Sequence, residues 1–117
     1  MVITVAVDFD GVIHAYSKGW HDGTIYDPPM QGALEGLCLL MEVHAVFIFT
    51  SRDAGQVAQW LTERGFSCEL DFDGTFWNKR GCLLVTNRKL PASAYLDDRA
   101  VPFTSWNQAL LDLGART

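Results

Sequence analysis

From Val2 to Val7 every residue except Thr4 is apolar, and the run then breaks into Asp8-Phe9-Asp10-Gly11. Near-continuous apolarity over so short a stretch marks a strand covered on both faces. A second such run, Ala45 to Phe49, ends in Thr50-Ser51-Arg52. Ser67 to Leu70 reads as a short third strand. Cys82 to Thr86 reads as a further strand, although so short a run also suits a helix. Ala94-Tyr95-Leu96 is a brief strand that again meets acids, Asp97-Asp98. Between these runs the spacing turns helical. Leu34, Leu37, Cys38 and Met41 form one stripe, Val57, Trp60 and Leu61 another, and Trp106, Ala109, Leu110 and Leu113 a third.

The punctuation agrees with this division. Asp53 with Gln56 and Ser105 with Gln108 have capping spacing, and Gly65 and Gly114 stand where helices stop. Pro29 suits the start of the first helix. Gly36 inside it costs about 1 kcal/mol relative to Ala and fits a close packing contact. His14 to Pro29 mixes turn formers with aromatics and predicts a loop or small irregular hairpin over the end of the first strand. Asp71 to Gly81 is polar and turn-rich, with Phe76 and Trp77 embedded.

Strands alternating with helices predict an α/β fold: a Rossmann-like, doubly wound, mainly parallel sheet. With 117 residues the chain is one domain, 1–117, with one core. Ligands of such sheets bind outside the carboxyl ends of the strands. Asp8, Asp10, Thr50, Asp97 and Asp98 all fall at such ends, and that convergence is stronger than any single motif. Were the first strand to continue, Asp8 and Asp10 would share one side. Gly11 permits a sharp turn after them.

Composition narrows the function. Hydrophobic residues are 49% and charged residues 20%, a globular balance. The formal net charge of −5 argues against broad electrostatic capture of nucleic acid. An acidic protein that handles phosphate most simply brings a metal cation to it. Cys38, Cys68 and Cys82 form no close pair and predict small buried hydrophobes in a reducing compartment. The N-terminal apolar run is too short to span a membrane and lacks the features of a leader, so the expected location is cytoplasmic, without membrane contact.

Four features in order, Asp8-Phe9-Asp10-Gly11 after a strand, Thr50 after the second, Lys89, and Asp97-Asp98 after the last, resemble the haloacid dehalogenase (HAD) superfamily, mostly Mg²⁺-dependent phosphatases. Asp8 to Tyr16, Gly19-Trp20, Asp27-Pro28-Pro29 and Asp97-Asp98-Arg99-Ala100 also resemble small capless HAD-like hydrolases of bacteria and phages. The resemblance implies a phosphatase acting on phosphate monoesters through an aspartyl-phosphate. Asp8 is then the nucleophile and Asp10 the general acid and base. Thr50 binds phosphoryl oxygens and Lys89 supplies positive charge. Mg²⁺ is held by Asp8, the backbone carbonyl of Asp10, Asp97 and Asp98, with waters completing its shell. Gly11, His14, Ser51 and Arg52 are the expected substrate contacts.

Each assignment has a rival. Thr50 or Ser51 also suits a helix cap. Lys79 and Arg80 compete with Lys89, which is preferred because it shortly precedes Asp97-Asp98. Arg99 pairs with a nearby carboxylate. His14 suits packing or hydrogen bonding as well as substrate contact. Trp20 and Trp77 suit the core as well as an aromatic wall. Asp71-Phe72-Asp73-Gly74 repeats the first motif after a mixed approach and without the companion features, and reads as a turn, a hairpin tip for instance.

The intervals where the family inserts cap domains, His14 to Pro29 and Ser67 to Thr86, are too short for one, which implies an open site with no separate cap domain. The expected substrate is a phosphorylated small molecule or nucleotide, with a nucleic-acid end or a phosphoprotein as the larger alternatives, and a second copy of the chain is a candidate lid. Outside phosphatase chemistry stand two further readings. A receiver module is disfavoured because no Asp ends the strand Ala45 to Phe49. A non-catalytic phosphate- or partner-binding module on the same scaffold stays open.

Overall fold

The structure is a computed structural model that describes residues 2–97 and 101–115. Among the described residues six strands form one sheet: β1 (Thr4–Asp8), β2 (Ala45–Phe49), β3 (Cys68–Glu69), β4 (Leu83–Thr86), β5 (Ala94–Asp97) and β6 (Val101–Pro102). Their order is β3-β4-β2-β1-β5-β6, and every neighbouring pair is parallel. The chain thus starts at a central strand, winds outward through β2 to the β3 edge, returns through β4, and crosses to the opposite side for β5. The sheet is the Rossmann-like, doubly wound one expected, and no separate cap is present among the described residues. Three helices, α1 (Ala33–Val43), α2 (Ala54–Thr62) and α3 (Trp106–Asp112), complete the layers.

Alternation along the strands divides the core in two. Val5, Val7, Val46, Ile48, Leu83, Val85 and Leu96 face the larger cluster, where they meet residues of all three helices, including Leu37, Leu61 and Leu110. Ala6, Phe47 and Leu84 face the smaller cluster, which irregular chain closes with Trp77 and Leu90. Trp77 is a core residue. Its Nε1–H donates to the Val46 carbonyl (3.0 Å), and its own carbonyl accepts from the Thr4 hydroxyl (2.7 Å). The described helices therefore lie on one face, and the second face of this doubly wound sheet is covered by irregular chain, with Asn87 to Ser93 making the return crossing without a helix.

The caps form as the spacing predicts. Asp53 accepts from the Gln56 N–H and Ser105 from the Gln108 N–H, each at 3.1 Å. The stripe of α1 is rotated from the expected one: Ala33, Gly36, Leu37 and Leu40 are buried, while Cys38 is exposed. Gly36 takes part because a Cβ there would lie 2.3 Å from Trp106 Cε3. That close approach seats Trp106, whose Nε1–H donates to the Val12 carbonyl (2.9 Å) and ties α3 to the turn after β1. Cys68 and Cys82 are only partly buried, so none of the three thiols is the fully buried hydrophobe expected. Burial still pushes both of those thiols above their ordinary pKa. No described helix is long and apolar enough to cross a membrane.

Candidate active site

The sheet places the ends of β1, β2 and β5 side by side where the winding reverses. A cleft of about 310 Å³ opens there, lined by Asp8, Phe49, Lys89, Tyr95 and Asp97 together with Ala6 and Val7 of β1. Two carboxylates and one ammonium from three separate segments meet in it. Asp97 and Tyr95 reach it because residues two apart on β5 share a face. The Tyr95 hydroxyl donates to the Leu90 carbonyl (2.8 Å), and the Lys89 ammonium stands 5.5 Å from its ring centroid. Lys79 is elsewhere, paired with Glu69 at 3.3 Å in an exposed contact, and Arg80 donates to the Glu42 carbonyl.

Asp10 does not line this cleft. The strand ends at Asp8, and the chain coils at once. The Phe9 carbonyl accepts from the N–H groups of Ile13 (2.9 Å) and His14 (3.0 Å), with Gly11 at φ +80° inside the turn. The Asp10 carboxylate is carried to a second cluster. His14 Nδ1 lies 2.8 Å from its Oδ1, and Arg52 Nε donates to both oxygens at 3.0 and 2.9 Å. A shared side for Asp8 and Asp10 would have required strand beyond Asp8, and the turn prevents it.

Arg52 is almost wholly buried. Its Nη1 donates to the Gly23 carbonyl (2.6 Å), its Nη2 is buried without a hydrogen-bond partner among the described residues, and the guanidinium lies 4.7 Å from the Trp20 ring centroid. Trp20 itself is exposed, so it covers Arg52 and does not fill the core. His14 is fully buried, behind Asp10 and away from the cleft. The segment His14 to Pro29 is a small irregular hairpin, closed at its base by Ala15 N–H to Pro28 O (3.2 Å) and Met30 N–H to Ile13 O (2.6 Å). Inside it, hydrogen bonds from Ser17 hold the Asp27 carboxyl below its usual pKa, and bonds from Thr24 do the same for Asp22.

Thr50 is buried and its Oγ1 accepts from the Arg52 N–H (3.1 Å), a local turn bond of the kind Thr makes after a strand. Ser51 is exposed beside it. Asn87 Nδ2 donates to the carbonyls of Thr50 (2.6 Å) and Arg52 (2.7 Å), clamping this loop to the end of β4. Sequence reasoning missed Asn87, and nothing in its surroundings signals the clamp. It also missed Tyr95, which the i, i+2 relation to Asp97 does reveal. Asp98 and Arg99 lie outside the described residues.

The cleft's donor set is all oxygen, which suits a hard cation such as Mg²⁺. Among the described residues no group of three or more His, Cys, Asp or Glu is gathered to hold a metal. A cation here would rest on Asp8 and Asp97 and complete its shell with backbone oxygen and water, a habit of Mg²⁺.

The Asp71–Gly74 repeat follows β3, whose pairing with β4 is parallel. It therefore opens a crossover and is no hairpin tip. Asp71 lines a separate hollow of about 440 Å³ with Asp53, Leu70, Asn87 and Arg88.

No family model matches the chain, and no curated protein matches it. Among solved structures, a conserved protein of Bacteroides thetaiotaomicron is similar, with a TM-score of 0.66 and 23% identity over 100% of this chain and 94% of that one. At that identity the likeness extends to the fold: a Rossmann-like α/β sheet over the whole length.

Proposed function

We propose that the protein is a Mg²⁺-dependent phosphatase that hydrolyses phosphate monoesters through an aspartyl-phosphate on Asp8. The observation that carries the reading is the meeting of Asp8, Lys89 and Asp97 in one cleft at the reversal of the winding. A carboxylate attacks phosphorus poorly until the phosphoryl charge is offset, and Lys89 stands where it can offset it. Mg²⁺, held by Asp8, Asp97, the Asp10 carbonyl and Asp98, supplies further charge neutralisation when bound.

In the first half-reaction an Asp8 oxygen forms a bond to phosphorus as the ester P–O bond breaks, and the leaving oxygen takes a proton from Asp10. In the second, water attacks the aspartyl-phosphate, Asp10 takes its proton, and the bond to Asp8 breaks to release inorganic phosphate. Asp10 exchanges Arg52 for the ester oxygen to do this. Thr50 donates a hydrogen bond from its hydroxyl to the phosphoryl oxygens, with Gly11, Ser51 and Arg52 as further phosphate contacts. The open cleft suits a phosphorylated small molecule or nucleotide, or a polynucleotide end or phosphoprotein, with a second copy of the chain as a candidate lid. Free thiols on Cys38, Cys68 and Cys82 fit the cytoplasm.

One observation favours a second reading, a non-catalytic phosphate- or partner-binding module. The Asp10 carboxylate accepts from Arg52, a partner that can only donate, and so faces a cation in place of the cleft. Hydrolysis of an aryl phosphate with and without Mg²⁺ decides between them. Turnover that needs Mg²⁺ and is lost in Asp8→Asn supports the phosphatase, whereas turnover that survives Asp8→Asn removes Asp8 as nucleophile. Phosphate binding without turnover of any ester selects the module.

A further inference from the structure

The Asp10 carboxylate has two partners of different kinds. Arg52 is a cation that reaches it from the loop after β2. His14 is local, four residues on in the same turn, and its ring chemistry can be read from its other nitrogen. Nε2 lies 3.0 Å from the backbone N of Asp27, a group that can only donate. Nε2 must then accept, so the ring proton sits on Nδ1, and Nδ1–H donates to Asp10 Oδ1 at 2.8 Å. Turning the ring over would replace both bonds with C–H contacts.

The packing around the ring leaves it no other use. His14 stacks on Phe9 with centroids 5.6 Å apart and a 20° interplanar angle, and meets the rings of Tyr26 at 5.1 Å and Tyr16 at 5.9 Å. It is fully buried, so it touches no substrate in the cleft. With Nε2 engaged by an amide that cannot surrender its proton usefully, the imidazole cannot relay protons from Asp10 to water.

We infer that His14 is a positioning residue: an imidazole locked by the Asp27 backbone in its Nδ1–H tautomer, which fixes the orientation of the Asp10 carboxyl. The kinetic side of this inference rests on the proposed role of Asp10 as acid and base. With Oδ1 held by His14, Oδ2 is the oxygen that carries the shuttled proton once Arg52 gives way. The lock also joins Asp10 to the base of the hairpin, because Asp27 precedes the Pro28 carbonyl that accepts from Ala15.

Two measurements test it. A long-range ¹H–¹⁵N correlation spectrum of the unaltered protein should show His14 protonated on Nδ1 alone, the less common tautomer of free histidine, and Asp10→Ala should shift that signal. In kinetics, His14→Asn places an amide N–H at the Nδ1 position, near Asp10, whereas the longer His14→Gln places its amide at the Nε2 position, near Asp27 and away from Asp10. His14→Gln should lower kcat on an aryl phosphate by about 10- to 100-fold, the scale of a small misplacement of a reacting group. KM should change by no more than about threefold, and His14→Asn should recover most of kcat. A ring protonated on Nε2 overturns the inference, as does a kcat that falls equally in both variants in step with their melting temperatures. If the unaltered protein turns over no phosphate ester, the phosphatase reading falls. The lock is then judged on the spectrum alone, where an Nδ1–H signal indifferent to Asp10→Ala overturns it.

Discussion

The tetrapeptide Asp-Phe-Asp-Gly occurs at 8–11 and again at 71–74, and the two copies have little else in common. The first ends a central strand paired on both sides, by β2 and β5. Its Phe9 is fully buried, edge-on to Trp60 at 5.3 Å. The second leaves the two-residue edge strand β3, with Asp71 exposed at φ +57°. Its Phe72 lies half-buried against Trp77 on the opposite face of the sheet, at 5.2 Å. Identical residues thus acquire different company. At the end of β1 the neighbours are Asp97 and Lys89; at the end of β3 they are Asn87 and Arg88, whose Nη1 donates to the Phe72 carbonyl (2.7 Å). A motif draws its chemistry from the strand that it ends.

The sharpest way to break the comparison is to exchange one carboxylate in each copy. Under the proposed reaction Asp8→Asn removes the attacking oxygen and should lower kcat by more than about a thousandfold. Asp71→Asn should leave kcat within about twofold. Equal losses would show that the β3 hollow takes part in the reaction. Asp10→Asn follows in size, at about 100- to 10,000-fold, because it removes one acid–base group and spares the nucleophile. Asp73→Asn, on exposed chain, is its control and should leave kcat unchanged.

The phenylalanines extend the contrast from activity to stability. Phe9→Ala should destabilise the fold by about 3–5 kcal/mol, since a fully buried ring is lost from under Trp60 and His14. Phe72→Ala should cost about 1–2 kcal/mol, because that ring is partly solvated and its aromatic contact among the described residues is with Trp77 alone. Denaturant unfolding of the two variants checks the order, and similar losses would mean that the smaller core matters as much as the larger.

What was legible in the sequence follows the same division. β1, β2 and the caps at Asp53 and Ser105 were readable because apolar runs and i, i+3 capping pairs are local signals. Gly36 was readable as a contact, though not its partner Trp106, seventy residues on. The meeting of Asp8, Lys89 and Asp97 was legible through strand ends and motif order. The separation of Asp10 from Asp8 was not. It depends on a turn that gathers three N–H groups on the Phe9 carbonyl and brings His14 onto Asp10, and on Arg52 arriving from the loop after β2. The rotated stripe of α1 escaped for a similar reason: Gly36 adds nothing to a hydrophobic pattern, yet Trp106 packs on that face.

The glycines give the smallest and most discriminating test. Gly11 has φ +80°, and a Cβ there would meet nothing within 4 Å. Gly11→Ala therefore costs only the left-handed backbone strain, about 1–2 kcal/mol. In a domain of this size that is a fall in melting temperature of roughly 4 °C per kcal/mol. Gly74 lacks a positive φ, but a Cβ there would lie 2.4 Å from Phe72 Cζ, the far end of a ring with solvent on one side. That ring can swing away, so Gly74→Ala should cost less than about 1 kcal/mol. A larger loss at Gly74 than at Gly11 would mean that Phe72 cannot leave Trp77. The second copy would then be a structural clasp over the smaller core, held as firmly as the first copy is held over the larger.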